Sequence, residues 1–278
     1  MTTPVLLAVL AAAFLHALWN AMIKMGTSKV TGGLILTILQ GVAGIAIALT
    51  RPWPEAEVWL WVAGSGLFHM GYMLFLSFAY EQGDLSRVYP IARGAAPMVV
   101  LLVSALWLSD VVTGIEVAGI LVLGLGIVGM ARDSFASRES RRLVPYALGS
   151  AMMTAGYTLV DGLGARVSGD PVAYVGWLFS ANMIFLPIAL YFLRGPQVFV
   201  APPRAWLVGA GAAAASYGAY AIAVWAMTVA PIALVSAVRE TSILFAVLMG
   251  WLVFGERMTP VKAGAAVLIV GGVVLTRL

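Results

Sequence analysis

Three charged side chains stand inside long apolar stretches of this sequence, and they define the first chemistry to consider. Arg93 and Arg239 are both surrounded by mostly apolar residues, and Glu240 directly follows Arg239. A charge at the centre of a membrane helix costs on the order of 2.5 to 3.5 kcal/mol, so each group needs a compensating role. Two arginines lining one cavity would meet a carboxylate from its two sides. Alternatively, each arginine bonds to backbone carbonyls near neighbouring prolines and holds a kinked helix.

The carboxylate of Glu240 is compatible with three roles. Adjacent helix residues point about 100° apart, so Glu240 and Arg239 cannot easily share one partner. Glu240 is therefore expected to neutralise Arg93, to bind an amine, or to carry a proton. Asp161 lies near the far end of another apolar stretch and is expected at the membrane interface.

Polar and aromatic residues recur on single faces of other apolar stretches. His16 and Asn20 stand four residues apart with Trp19 beside them, a spacing that puts them on one helix face. Such stripes favour a cavity wall, although polar side chains also form hydrogen-bonding faces between membrane helices. The candidate substrate-binding residues are His16, Trp19, Asn20, His69, Tyr72, Tyr89, Arg93, Tyr157, Tyr220, Arg239 and Glu240.

Signatures of enzymes are missing from the sequence. It contains no His/Cys/Asp/Glu cluster with metal-ligand spacing and no Gly-x-Ser-x-Gly motif of a nucleophilic serine. Gly124 and Gly126 have no phosphate-binding loop around them and are small residues that favour helix packing. We therefore expect no catalytic residue, no metal and no cofactor.

The composition excludes a soluble protein. Of 278 residues, 62% are hydrophobic and 10% are charged, whereas soluble domains carry roughly a quarter charged residues. The formal charge of +4 comes from scattered basic residues, with no stripe of them to follow a nucleic-acid backbone. A multi-pass protein of the lipid bilayer remains, with no nucleic-acid partner.

The apolar runs predict an all-α fold of ten transmembrane helices, because a chain in lipid must satisfy its own backbone hydrogen bonds. One hydrophilic segment, 132–142, separates five spans from five spans. The predicted spans cover 5–24, 30–50, 58–80, 86–108, 112–131, 143–165, 171–193, 205–229, 232–254 and 260–276.

The two halves resemble each other when one is shifted by about 146 positions, the separation of Arg93 and Arg239. The same shift places Asp110 on Glu256 and Thr113 on Thr259. We therefore divide the chain into a first repeat (1–131), a linker (132–142) and a second repeat (143–278). Because five spans is an odd number, the second repeat is expected to be inverted, an architecture whose substrate sites lie between the repeats.

Lysines and arginines in the connections predict the orientation. Eleven of the 16 lie in odd-numbered connections and three lie in even-numbered connections or at the termini. The positive-inside rule then puts the linker in the cytoplasm and both termini on the other side of the inner membrane. Residues 1–24 are interpreted as the first span rather than a signal peptide, because no basic residue precedes the apolar run.

Particular motifs carry a family resemblance. They are Gly83-Asp-Leu-Ser-Arg-Val-Tyr-Pro-Ile-Ala-Arg-Gly-Ala-Ala-Pro97 in the first repeat and Gly255-Glu256 with Thr259 and Gly264 in the second. With the duplicated ten-span layout, they resemble the EamA-type drug/metabolite transporters, bacterial amino acid exporters among them, over essentially the whole chain. Ser109-Asp110 stands where the family favours Gly-Glu, and Ile243 stands opposite Pro97, so the halves are expected to kink differently.

The resemblance implies alternating-access movement of small metabolites, often outward, with amino acids prominent among bacterial substrates. Arg, Glu and aromatic walls suit a zwitterion, so the expectation is an amino acid exporter that accepts aromatic side chains. The alternative is an exporter of other organic anions, nucleotide-linked sugars or drugs, coupled to protons. The almost wholly apolar second, fifth and tenth spans argue against a channel and are predicted to be scaffold or dimer surface, in a monomer or homodimer.

The orientation can be tested by labelling, since the natural chain contains no cysteine. Single cysteines at Ser28 and Ser137 should react with a membrane-impermeant thiol reagent only from the cytoplasmic side, and one at Thr3 only from the other side. Labelling of intact cells against inverted vesicles makes this measurement. The opposite pattern would refute the orientation and leave the repeat intact.

Overall fold

The protein is a bundle of α-helices. The computed structural model describes residues 1–24, 29–82, 85–135, 140–253, 255 and 258–278, with only the backbone described for 24, 29, 77, 80–82, 85–92, 130–135 and 140–142. Within these ranges there is no strand. A short 3-10 helix, Pro196–Phe199, joins α7 to α8. The helices are α1 (Thr3–Lys24), α2 (Lys29–Ala48), α3 (Val58–Gln82), α4 (Leu85–Trp107), α5 (Gly114–Phe135), α6 (Ser140–Ser168), α7 (Pro171–Arg194), α8 (Pro203–Val229), α9 (Ile232–Arg239), α10 (Ser242–Leu252) and α11 (Pro260–Leu275).

The lengths and surfaces of these helices fit a lipid bilayer. Seven segments of the described chain are long and apolar enough to span it, namely α1, α2, α3, α6, α7, α8 and the combined Ile232–Leu252. Three shorter apolar stretches also lie in helices: Arg93–Trp107 in α4, Gly114–Gly129 in α5 and Pro260–Leu275 in α11. Large apolar side chains such as Leu60, Leu125 and Val267 are exposed on the outside. The predicted all-helical, multi-pass membrane protein is confirmed.

The ninth predicted span is interrupted at its charged residues. α9 ends at Arg239 and α10 begins at Ser242. Between them the backbone tightens, because the N–H groups of Glu240 and Thr241 donate to carbonyls three residues back. The Thr241 hydroxyl donates to the Val238 carbonyl at 2.8 Å, which supports this turn. By contrast, α4 runs unbroken through both of its prolines, so the halves do differ here.

The packing of the helices is the same when the two halves are exchanged. α1 packs on α8 and α3 on α6, while α2 packs on α7 and α5 on α11. The counterpart of each helix lies five spans later, if α9 and α10 are taken as one segment. Exchanging counterparts turns the α1–α8 contact into the α6–α3 contact and leaves the other two contacts in place. The bundle is thus assembled mainly by contacts between its halves.

Ion pairs join the halves at the end of the bundle where α6 ends and α7 begins. Arg166 forms two hydrogen bonds with Asp110, at 2.7 and 3.0 Å. Arg51 donates to Asp170 at 2.7 Å, while Asp170 also accepts the N–H groups of Val172 and Ala173 as the N-cap of α7. Partial burial alone would raise the pKa of Asp170, but these hydrogen bonds outweigh it and lower the pKa below its ordinary value.

Two glycines let α5 and α11 approach backbone to backbone. A Cβ added at Gly119 would lie 2.7 Å from the carbonyl oxygen of Gly272, and a Cβ added at Gly272 would lie 2.7 Å from that of Gly119. The neighbouring Gly271 has open space around it. Small residues at such crossings are typical of membrane helices, which associate by close packing.

We expect Gly272→Ala to destabilise the protein by about 1 to 3 kcal/mol, because the new methyl group must push two backbones apart. Gly271→Ala is the matched control, since the same methyl group meets nothing there and a helical alanine is favoured over glycine by about 1 kcal/mol. Thermal unfolding of the purified variants in detergent measures both. Equal melting temperatures for the two variants would contradict the close crossing.

Candidate functional site

A cavity of about 80 Å³ lies between seven helices, α1, α2, α3, α6, α7, α8 and α9. One water needs about 10–15 Å³ of such space, so the cavity has room for several waters. Its lining mixes aromatic rings, amides, imidazoles and one arginine. The lining residues are His16, Trp19, Leu36, Thr37, Gln40, His69, Met70, Tyr72, Met73, Tyr157, Phe179, Asn182, Leu186, Ser216, Tyr220 and Arg239.

Arg239 supplies the positive charge of this cavity. It is the last residue of α9, directly before the interruption of the ninth span, and it is 8% exposed. Its guanidinium carbon lies 5.2 Å from the ring centroid of Tyr220, a cation–π contact. Within the described part of the chain, no carboxylate lies within 4.0 Å of Arg239. The charge is therefore held by a ring and available to an anion.

Arg93 has a different environment from its counterpart Arg239. Its Nε donates to one carboxylate oxygen of Glu240 at 3.0 Å, and its Nη2 lies 2.9 Å from the other. Both side chains are buried, and neither lines the cavity. Of the two arginines expected to line one cavity, the structure brings Arg239 to the cavity described here and pairs Arg93 with Glu240. This paired geometry is the neutralisation across the repeats that the sequence left open for Glu240.

Aromatic rings form one wall of the cavity, and His69 lies at its centre. The His69 imidazole stacks on the Tyr157 ring with centroids 4.1 Å apart and an interplanar angle of 20°. Tyr72 and Tyr220 each meet Tyr157 edge-on, at 5.6 and 6.0 Å. Because three helices contribute these rings, their planes fix the width of the cavity.

The first helix contributes His16 and Trp19. The Trp19 Nε1–H donates to His16 Nδ1 at 3.3 Å, and the two rings meet edge-on. Asn20 does not line the cavity; its amide instead donates to the His16 carbonyl at 2.7 Å. The predicted stripe on α1 is therefore divided between cavity wall and helix backbone. The side chain of Tyr89 lies outside the described residues.

Two amides that the sequence prediction missed also line the cavity. Gln40 lies on α2 and Asn182 on α7, and both are buried. Their Nε2 and Oδ1 atoms find no hydrogen-bond partner among the described residues. The prediction that the second span is only scaffold is thus wrong. Thr37 and Gln40, three residues apart in an otherwise apolar run, were the signal.

Asp161 is buried beneath the wall of the cavity. Its helix, α6, extends to Ser168, three residues further than predicted, and the carboxylate is 0% exposed. Two phenols donate to it, Tyr174 at 3.1 Å to Oδ1 and Tyr220 to Oδ2. The structure thus buries the Asp161 carboxylate within the helix bundle, between α6, α7 and α8.

Apolar helices that enclose a polar and aromatic cavity define a polytopic membrane protein with an internal small-molecule site. The profile of the EamA-like transporter family matches residues 3–132 and 142–278, and the chain belongs to that family. Among solved structures 29 chains match, and one crystal structure superposes with a TM-score of 0.76 at 21% identity. That superposition covers 100% of this chain and 99% of the other, and it shows the fold alone. No curated protein sequence matches this chain.

The Arg93–Glu240 pair predicts a specific pattern of stability. Either Arg93→Gln or Glu240→Gln leaves one buried charge uncompensated and should cost about 3 to 5 kcal/mol. The double variant removes both charges and should recover most of the folded yield. Yield after size-exclusion chromatography and melting temperature in detergent measure the effect. Additive losses in the double variant would refute the pairing.

Proposed function

We propose that this protein exports amino acids, including aromatic ones, across the inner membrane. The observation that carries the proposal is Arg239, a buried cation at the cavity with no carboxylate within 4.0 Å among the described residues. A charge in that position is expensive without an anion. The carboxylate of an amino acid would supply it and would form charge-assisted hydrogen bonds to the guanidinium.

The rest of the lining supports a zwitterion with a large side chain. The Gln40 Nε2 atom offers a hydrogen-bond donor and the Asn182 Oδ1 atom offers an acceptor. The ammonium group of an amino acid would bind to that acceptor and to the faces of the aromatic rings. The Tyr157 and Phe179 rings provide an apolar surface for a substrate side chain. The proposal gives Glu240 no contact with the ammonium group, because its carboxylate is paired with Arg93.

Alternating access between inverted repeats is the proposed mechanism. In it the chain spans the membrane ten times, with repeats 1–131 and 143–278 and both termini on the non-cytoplasmic side. The exchange symmetry of the helix contacts and the family match over two segments support this arrangement. In this mechanism the cavity of about 80 Å³ would widen to admit a substrate. The Asp110–Arg166 and Arg51–Asp170 pairs, which join the halves at one end, would separate as the cavity opens there.

A second candidate is the export of an organic anion that lacks an amine. It is favoured by the absence of any carboxylate from the described lining of the cavity. Substrates with several phosphates, such as nucleotide-linked sugars, are disfavoured because only one lining residue is an arginine.

Exchange of radiolabelled amino acids by purified protein in liposomes tests the function. Wild-type protein should exchange L-phenylalanine and related amino acids, and Arg239→Gln should reduce the apparent affinity by about tenfold or more, as expected for hydrogen bonds to a charged group. Arg204→Gln, which removes an exposed arginine at the start of α8, is the matched control and should behave as wild type. Normal exchange by Arg239→Gln would remove the basis of the proposal.

The aromatic wall should determine which side chains are accepted. Replacing Tyr72 or Tyr157 by Ala should weaken L-tryptophan and L-phenylalanine more than L-alanine, because ring contacts are lost while the polar groups remain. Competition of each unlabelled amino acid against labelled substrate measures the ratio. Equal losses for alanine and tryptophan would mean that the rings support only the fold.

A further inference from the structure

Asp161 is an acidic group that the proposed substrate contacts do not use. Its carboxylate is 0% exposed and accepts hydrogen bonds from the phenols of Tyr174 and Tyr220. His69 Nδ1 lies 3.9 Å from Oδ2. Among the described residues, no lysine or arginine lies within 4.0 Å of this carboxylate. The described groups in contact with this carboxylate are therefore neutral hydrogen-bond donors and one imidazole.

The fold makes specific room for this cluster. Gly164 lies one turn after Asp161, and a Cβ added there would lie 2.5 Å from the Tyr174 hydroxyl and 2.6 Å from its ring. Without that Cβ, the Tyr174 ring lies against α6 with its hydroxyl at the carboxylate. Burying a carboxylate costs free energy even when two hydroxyl groups donate hydrogen bonds to it, which favours a functional role for Asp161.

The helices packed against α6 bring few other charged or titratable groups to Asp161. α3 brings His69, whose Nδ1 also lies 3.1 Å from the Ser65 carbonyl, and α7 brings Tyr174. α8 brings Tyr220, and behind that ring lies Arg239 of α9. The charged residue of α4 with a described side chain, Arg93, is paired with Glu240. Apart from the phenols, His69 is thus the one neighbour of Asp161 in the described chain that can bind or release a proton.

Tyr220 connects Asp161 to the substrate cavity. Its hydroxyl donates to Asp161, its ring supports the guanidinium of Arg239, and the residue itself lines the cavity. When Asp161 is ionised, the Tyr220 hydroxyl donates to its carboxylate and is held away from the cavity. A protonated Asp161 carries a hydrogen on one oxygen and can accept fewer donors, which releases Tyr220. Tyr220 therefore contacts both Asp161, which would bind the proton, and Arg239, which would bind the substrate carboxylate.

We propose that Asp161 and His69 form a proton-binding site that couples proton movement to substrate movement through Tyr220. The proposal rests on the amino acid export proposed above. One proton from water binds a carboxylate oxygen and converts the anionic group to a neutral acid, and the same proton returns to water on the other side of the membrane. Proton and substrate alternate on the transporter, so the protein is a proton antiporter.

Transport by liposomes under an imposed pH gradient tests the coupling. Exchange of one proton for one zwitterion moves one net charge, so the membrane potential is held at zero with valinomycin and equal potassium on both sides. A pH difference of about one unit should then sustain an L-phenylalanine gradient of about tenfold. We expect Asp161→Asn to reduce that ratio to about one, with L-phenylalanine exchange at equal pH continuing at a lower rate. Glu57→Gln is the matched control: it makes the same chemical change at an exposed carboxylate and should keep the tenfold ratio. A pH-driven gradient that survives Asp161→Asn would overturn the proposal.

Tyr220→Phe provides a second variant that preserves packing. The ring over Arg239 remains and only the hydroxyl bonded to Asp161 is lost. The gradient sustained by the pH difference should therefore fall severalfold, and by a larger factor than the rate of exchange at equal pH. Full coupling in Tyr220→Phe would exclude this route between the two sites.

Infrared difference spectra of the purified protein between acidic and alkaline buffer test the proton site without any substrate. The wild type should show the C=O band of a buried protonated carboxylic acid, Asp161→Asn should lose it, and Glu57→Gln should retain it. A band that is unchanged in Asp161→Asn refutes the proton site. If L-phenylalanine is not exchanged by the wild type but the band behaves as expected, the proposed substrate is wrong and the proton site stands.

Discussion

A charge inside an apolar helix bundle must be compensated by the protein or its ligand, because lipid offers neither water nor counter-ions. Three buried positions solve this problem in three ways. Arg93 is neutralised by Glu240 through two contacts of 3.0 and 2.9 Å. Asp161 is held by two phenols and a nearby imidazole. Arg239 rests on the face of Tyr220 at the cavity, which leaves its remaining compensation to whatever binds there.

The difference between Arg93 and Arg239 shows how a duplicated fold acquires an asymmetric site. The two arginines are counterparts in the repeats. Glu240, in contrast, aligns with Gly94 in the sequence of the first repeat and so has no acidic counterpart. One added carboxylate therefore neutralises the arginine of the other half. The interruption of the ninth span falls at Glu240 and Thr241, so it contains the paired carboxylate and directly follows the cavity-lining Arg239. The helix break and the charge arrangement thus belong to one local structure.

The sequence alone predicted the helical membrane fold and most of the cavity wall, because both depend on local pattern. Long apolar runs identify spans, and His16, Trp19, His69, Tyr72, Tyr157, Tyr220 and Arg239 were recognised as polar or aromatic exceptions within them. The Arg93–Glu240 pairing was one of several open alternatives, because it depends on how α4 packs near α9. The burial of Asp161 within the bundle could not be predicted, because it depends on Tyr174 and Tyr220 from two other helices.

The central claim is that Arg239 binds the carboxylate of the substrate, and removing that group from the ligand tests it most directly. Purified protein should bind L-phenylalanine about tenfold or more tightly than L-phenylalaninamide, in which a neutral amide replaces the carboxylate. Arg239→Gln should bind the two ligands with similar affinity, because the charge that distinguishes them is gone. An unchanged preference for L-phenylalanine in Arg239→Gln would contradict the account.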